Sequence, residues 1–481
     1  MNLKIILKVL GLLLLVEGVA MLLAMLVAII YNENDISAFI ISAAINLGVG
    51  GVITALTWKA KKDIGKREGF IIVTMVWLVF SLFGSFPYLL SGSIPNFTDA
   101  FFETISGFTT TGSSILNDIE ALPHGILFWR SISQWLGGMG IIVLSLAILP
   151  VFGIGGMQLF IAEVPGPTPD KISPRITQTA KTLWGIYMLF TIVETLLLWV
   201  GGMSFYDAIC HSFTTMATGG FSTKQASIAY WPSPFIQYVI TFFMFLAGMN
   251  FTLSYMAIRG RFSNVFRDEE FRYYGLIILS FSALITVGLL LTSQLGFEQA
   301  FRDSIFQVVS IVTTTGFATA DYLLWKPILT MLIFALFFFG GSAGSTGGGI
   351  KIMRIVVLAK NGYYELKRLI HPHAIIPVKF NRHSVDSKIV TNVLAFFMLY
   401  MVIFFVSTII FTLIEPDMES SMGAVATSLG NIGPGLGSVG PAENFYHIKP
   451  IGKWFLSFLM LLGRLELFTV LVLFSPSFWK E

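Results

Sequence analysis

The stretch SGFTTTGSS, Ser106 to Ser114, interrupts a chain that otherwise consists of long apolar runs. Relatives of it follow at 215–223 (TMATGGFST) and 312–319 (VTTTGFAT). Threonine and glycine in such runs leave irregular backbone at membrane depth, which is tolerated only where it is buried in protein or lines a water-filled path. Each copy carries the same upstream marker. Asp99 stands thirteen residues before Gly112, Asp207 thirteen before Gly220 and Asp303 thirteen before Gly316. A weaker fourth copy, SSMGAVATSLGNIG, places Ser420 thirteen before Gly433. Four segments in one register make this an internal repeat rather than four incidental clusters of small residues.

The surroundings of the repeat define the class of protein. Of 481 residues, 55% are hydrophobic and 12% charged, with a mean hydropathy of +0.79. Soluble domains carry about a quarter charged residues, so the composition predicts an all-α polytopic membrane protein. The single cysteine, Cys210, excludes an intrachain disulfide framework. The first apolar run, Ile5 to Ile30, is too long for a cleavable leader and reads as a first transmembrane helix. At about 20 residues per span, ten spans are expected, near 5–30, 37–58, 70–90, 125–150, 181–201, 234–258, 273–294, 325–350, 389–414 and 450–475. Four shorter apolar stretches, 98–109, 206–217, 302–313 and 419–430, are too short to cross and suit re-entrant segments.

Charge sets the expected orientation. The loop after the second span carries Lys59, Lys61, Lys62, Lys66 and Arg67. Four arginines lie in 259–272 and eight basic residues in Lys351–Lys388, whereas YNENDIS after the first span has none. The positive-inside rule then puts both termini in the cytoplasm and brings the four short segments in from outside. The predicted organisation is an N-terminal two-helix extension (1–66) followed by four parallel units of span, short helix, strand and span. Their boundaries are 67–158, 159–265, 266–370 and 371–481.

The physics of one unit points to a cation path. Ten helical residues rise about 15 Å, half of the roughly 30 Å hydrocarbon core. A short helix entering from outside therefore ends near the midplane, its negative C-terminal end aimed inward at a cation. Glycine permits the dihedrals that turn carbonyl oxygens toward an axis. Four such strands give rings of carbonyls able to replace an ion's hydration shell. The candidate filter residues are Thr110, Thr111 and Gly112; Thr218, Gly219 and Gly220; Thr314, Thr315 and Gly316; and Asn431, Ile432 and Gly433. None of the strands offers the carboxylate ring of a calcium-type channel.

These residues resemble the TrkH/KtrB/HKT superfamily of potassium transporters, over the whole chain, and the two extra N-terminal spans are similar to TrkH. The resemblance implies a pseudo-fourfold pore in one subunit with one signature glycine per strand, at Gly112, Gly220, Gly316 and Gly433. It implies K+, with Rb+ alongside, as the transported ion, a bacterial inner membrane, a homodimer, and a cytoplasmic TrkA-like nucleotide-binding ring. The fourth strand departs from the others, with Asn431 and Ile432 in place of threonines and Pro434 where Phe221 and Phe317 stand. A sodium-conducting HKT-like protein would carry serine where Gly112 stands. An ion-coupled symporter with inverted repeats conflicts with the parallel orientation of these units.

Two further features lie after the filters. The third copy opens into GGSAGSTGGGIK, with Gly340, Gly341, Gly344, Gly347, Gly348 and Gly349 inside a would-be helix. Glycine costs a helix about 1 kcal/mol each, so a loop is expected there. The Gly344-x4-Gly349 spacing lacks the lysine of a phosphate-binding loop, Ile350 standing in its place. A flap beneath the filter fits better, and TrkH-like proteins have a loop of this kind as a gate. In the fourth copy Arg464 occupies the aligned glycine step; a mid-membrane charge is costly and marks function. It is expected beside the pore, or else in a buried pair with Glu103, Glu194 or Glu298. No nucleophile motif, ATPase signature or nucleic-acid motif is present, so neither an enzyme nor a nucleic-acid binder is expected. The loop 165–175 and the basic segment 351–388 read as cytoplasmic surfaces for a partner.

Overall fold

Long apolar runs become long helices in the computed structural model, which describes residues 2–60, 65–138, 140 and 176–480. α1 (Leu3–Tyr31) and α2 (Ile36–Leu56) pack together, joined by a turn in which Asn32 takes the left-handed conformation that asparagine tolerates (φ 55°). α1 also packs on α3 (Lys66–Gly84), which continues as α4 (Phe86–Leu90), and on α6 (His124–Gly138). The short α5 (Phe97–Phe108) lies between α4 and α6 in the chain. Next come α7 (Ile176–Val200), the short α8 (Phe205–Met216), α9 (Pro234–Gly248), α10 (Phe251–Ile258) and the connector α11 (Phe262–Arg267). α12 (Glu269–Thr292) precedes the short α13 (Phe297–Val312), then α14 (Pro327–Leu336), a long loop and α15 (Ile352–Ile370). A two-residue hairpin, β1 (Lys379–Phe380) paired with β2 (His383–Ser384), leads into α16 (Ser387–Phe411). The short α17 (Met418–Gly430), α18 (Pro450–Arg464), α19 (Glu466–Leu471) and α20 (Pro476–Trp479) complete the order.

The four short helices form the centre. From Ala100 to Phe108 every residue of α5 is buried, and so is every residue of α17 from Gly423 to Gly430. Three of the four starts are capped by side chains, and the fourth, that of α13, follows Gly296. Asn96 accepts from the amides of Thr98 and Asp99, Ser204 from that of Asp207, and Asp417 from that of Ser420. The long helices around them expose apolar side chains, such as Leu23, Leu26 and Ile30 on α1 and Leu276, Leu279 and Leu291 on α12. Lipid tails accept what water rejects, so these helices are apolar on the outside as well as within.

Six helices among the described residues are long and apolar enough to cross a bilayer, and eight when each of two bent pairs counts as one span. The difference from ten has local causes. The second half of the expected span 125–150 lies outside the described residues, as do the loop 165–175 and residues 61–64 of the first basic loop. The expected span 325–350 is broken after ten helical residues by the glycine loop. Spans 234–258 and 450–475 are bent rather than continuous, by 111° and 109°. At the first break Asn250 starts a new helix by accepting from the Thr252 amide at 2.8 Å. At the second, Glu466 takes φ 54°. Both breaks follow the aligned glycine step, where an inner helix meets the end of a short one. A Cβ on Gly463 would stand 2.1 Å from the Leu429 carbonyl oxygen.

Candidate functional site

Each short helix runs straight into its strand, and the strands alternate in hand. Thr110, Thr218, Thr314 and Asn431 take φ of 53°, 52°, 58° and 53°. Two residues on, Gly112, Gly220, Gly316 and Gly433 take 85°, 75°, 82° and 107°. A left-handed residue at every second position turns successive peptide planes the same way, which a run of right-handed residues cannot do. Glycine meets this demand without a steric penalty, asparagine with a small one, and β-branched threonine only under constraint. The fourth strand thus departs from the others in side chains and keeps their backbone.

The strands touch in cyclic order. A Cβ on Gly112 would lie 2.2 Å from the Gly219 carbonyl oxygen, and one on Gly220 2.0 Å from that of Thr315. One on Gly316 would lie 2.0 Å from the Ile432 carbonyl oxygen, and one on Gly433 2.9 Å from that of Thr111. First meets second, second meets third, third meets fourth, and fourth returns to first. All four glycines line one cleft, whose lining also includes Lys224 and Glu443.

Side chains brace the ring from behind. Gln134 on α6 donates to the Gly219 carbonyl at 2.6 Å and accepts from the Phe221 amide at 3.0 Å. Asn431 donates to Thr111 Oγ1 at 2.9 Å, and Ser113 donates to the Gly433 carbonyl at 3.1 Å, joining the fourth strand to the first. Glu103 on α5 pairs with Arg130 on α6 at 2.6 Å, both buried. The same carboxylate accepts from Ser114 Oγ and the Ile115 amide. Arg130 donates to the Ser222 carbonyl and covers the Phe221 ring at 3.7 Å. This pair therefore cross-links the outer ends of the first two strands. Glu103, a candidate partner for Arg464 in the sequence, instead pairs with Arg130, 27 residues on.

The glycine loop lies against the inner end of the strands. The Gly348 amide donates to Thr314 Oγ1 at 2.7 Å, and Thr346 Oγ1 donates to the Met216 carbonyl at 3.0 Å. Cβ atoms on Gly347 and Gly348 would stand 2.9 Å from the Thr313 carbonyl oxygen and 2.6 Å from that of Gly430. The loop is pinned at its base: Gly340 N–H donates to Ile350 O, and Ser342 N–H to Gly248 O, each at 2.8 Å. Gly341 accepts from the Ile352 amide and Gly344 from that of Phe251. Gly344 and Gly349 take positive φ.

Arg464 joins the loop to the first strand. It donates to Thr110 Oγ1 at 2.9 Å, to the Thr346 carbonyl at 2.8 Å, and to the Gly137 and Gly138 carbonyls at 2.6 and 2.9 Å. Glu103 is taken by Arg130 and Glu298 pairs with Arg302. Glu466, just past the helix break, pairs with Arg354 on α15. The guanidinium thus sits between the first strand, the glycine loop and the end of α6.

Helical membrane architecture around this oxygen-rich ring is matched by known proteins. The TrkH family, described as a cation transport protein, matches residues 35–481. The chain belongs to that family, whose members are transporters and not enzymes. It is similar to the Trk system potassium uptake protein TrkH of Escherichia coli K12, at 44% identity over the full length of both chains. The TrkH of Halomonas elongata is 41% identical, again over the full length of both. The Trk system potassium uptake protein TrkG of E. coli is 35% identical over 98% of this chain and 97% of its own. Among solved structures, the potassium transporter TrkH from Vibrio parahaemolyticus superposes with a TM-score of 0.90 at 39% identity, covering all of both chains.

Proposed function

We propose that this chain is the ion-translocating subunit of a Trk-type potassium uptake system, and that K+ is its substrate, with Rb+ accepted alongside. The cyclic contact of the four strands around one cleft carries the proposal. In this reading ten spans form a pseudo-fourfold pore of four parallel units behind an N-terminal pair. The carbonyls of 110–112, 218–220, 314–316 and 431–433 strip water from the ion and replace it. The downstream ends of four short helices add their negative poles beneath. Gly340, Gly341, Gly344, Gly347, Gly348 and Gly349 give the gate its freedom to move, and Arg464 holds it closed while discouraging a cation from resting below the filter. The protein works as a homodimer in the bacterial inner membrane, termini in the cytoplasm, on a TrkA-like ring that reads a nucleotide. Full-length similarity to potassium uptake proteins supports the choice of ion.

Flux of K+, Rb+ and Na+ into liposomes holding the purified protein tests this. K+ and Rb+ are expected to pass and Na+ to pass poorly. Equal flux of all three, or none of any under conditions where the partner ring is supplied, overturns the assignment.

A further inference from the structure

We propose that Glu270 is the latch of the glycine loop, and that its neighbour Glu269 ties that latch to the cytoplasmic hairpin. The inference rests on reading the loop as a gate. Glu270 lies in the first turn of α12 and is 5% exposed. Its Oε1 accepts from the amide of Ala343, inside the loop, at 2.7 Å and from the amide of Met353, in the first turn of α15, at 3.2 Å. One carboxylate oxygen therefore fastens the loop and the start of the helix that follows it. The Met353 amide is among the first donors of its helix, which have no partner within the helix, and a carboxylate at a helix N-terminus is favoured by the dipole.

With the loop against the strands, the Ala343 amide faces Glu270; a displacement that carries Ala343 away from α12 would break that bond. A bond made in one state only biases the equilibrium between the two. Glu270 bonds to the loop and to α15 and does not line the cleft at the strands, so it is a positioning residue that acts through the loop.

The preceding turn supplies a handle. Glu269 pairs with Lys360 on α15 and accepts from the Asn381 amide at 2.8 Å. Asn381 Oδ1 accepts from the Glu269 amide at 2.7 Å, and its side-chain amide donates to Asp268 at 2.8 Å. Asn381 is the turn residue between β1 and β2, at φ 48°. Displacing the hairpin therefore strains the turn that carries the latch, one residue away.

The experiment compares purified full-length variants in liposomes, with K+ and Na+ as the probes. Glu270→Ala is expected to raise K+ flux about tenfold, the factor carried by one charge-assisted hydrogen bond, with K+ over Na+ preference unchanged. Single-channel recordings should show a higher open probability at the same conductance. Glu270→Gln, whose amide oxygen still accepts but carries no charge, should fall between the parent and the alanine variant. Glu270→Asp, one methylene shorter, should fall between; it replaces the alanine variant if that one does not purify as a monodisperse protein. In a background lacking part of 344–349, Glu270→Ala should add nothing. Parent-like flux in both the Ala and Asp variants, or an effect that survives in the shortened background, overturns the latch. If the shortened protein itself conducts no faster than the parent, the gate reading has failed and the latch falls with it.

Discussion

At the scale of single residues, each signature glycine meets two demands at once: a left-handed φ, and a neighbouring carbonyl where a side chain would be. Gly112 combines φ 85° with the Gly219 carbonyl oxygen 2.2 Å from any Cβ. Serine at this position carries about 1–3 kcal/mol of backbone strain and pushes the first strand from the second. Gly112→Ser is therefore expected to widen the ring on one side and admit sodium. Parallel K+ and Na+ flux measures it; about 1.4 kcal/mol of lost discrimination reads as a tenfold fall in the ratio, and an unchanged ratio removes Gly112 from the filter. The glycines were legible in the sequence through their thirteen-residue spacing. The left-handed threonines were not, because threonine rarely adopts that conformation unless its surroundings impose it. Thr109 with Thr111, and Thr313 with Thr315, share side-chain hydrogen bonds of 2.8 Å across that residue.

At the scale of elements, three of the four short helices were readable to within a residue at each end, whereas the third, expected at 302–313, starts five residues earlier at Phe297. Expected at 98–109 and 206–217, two of them run Phe97–Phe108 and Phe205–Met216. The bends of 111° and 109° were not readable. The segments on both sides of each bend are apolar, and the break comes from contact with the end of a short helix, as at Gly463 against Leu429. The glycine loop was readable as non-helical, but its position was not. It bonds to Thr314, Met216 and, through Arg464, to Thr110, residues from three different strands or short helices. Shortening 344–349 removes these bonds and leaves the outer cleft alone. K+ flux should rise several-fold, with ion preference intact, in the same liposome assay. A slower protein, or one that loses selectivity as well, means that the loop builds the filter instead of obstructing it.

For the whole molecule, the proposed control by a partner ring enters through the segment between α15 and α16, which the positive-inside rule puts in the cytoplasm. Lys379 and Arg382 are exposed there, and Asn381 and Arg382, at φ 48° and 66°, form the tip of the hairpin. Left-handed residues at both central positions suit a tight two-residue turn, which presents the basic side chains outward on a rigid support. Charge reversal at Lys379 and Arg382 is expected to weaken co-purification with the nucleotide-binding ring and to abolish the effect of ATP or NADH on flux. The bare pore should keep its selectivity. Full binding and full regulation in the double variant would move the docking surface to the loop 165–175.

What the sequence by itself determined is whatever depends on near neighbours in the chain. Apolar runs of about 20 residues became the long helices, dozen-residue runs became the short ones, and six glycines within ten positions prevented a helix at 340–349. Repetition of one spacing was enough to expect four equivalent strands. The tertiary structure alone decided which groups meet between elements: Glu103 with Arg130, Gln134 with Gly219, Arg464 with Thr346, and Glu270 with Ala343. Those partners lie 27 to 118 residues apart, and no local pattern links them. They are paired because buried polar groups in a membrane protein have no water to turn to and must find one another.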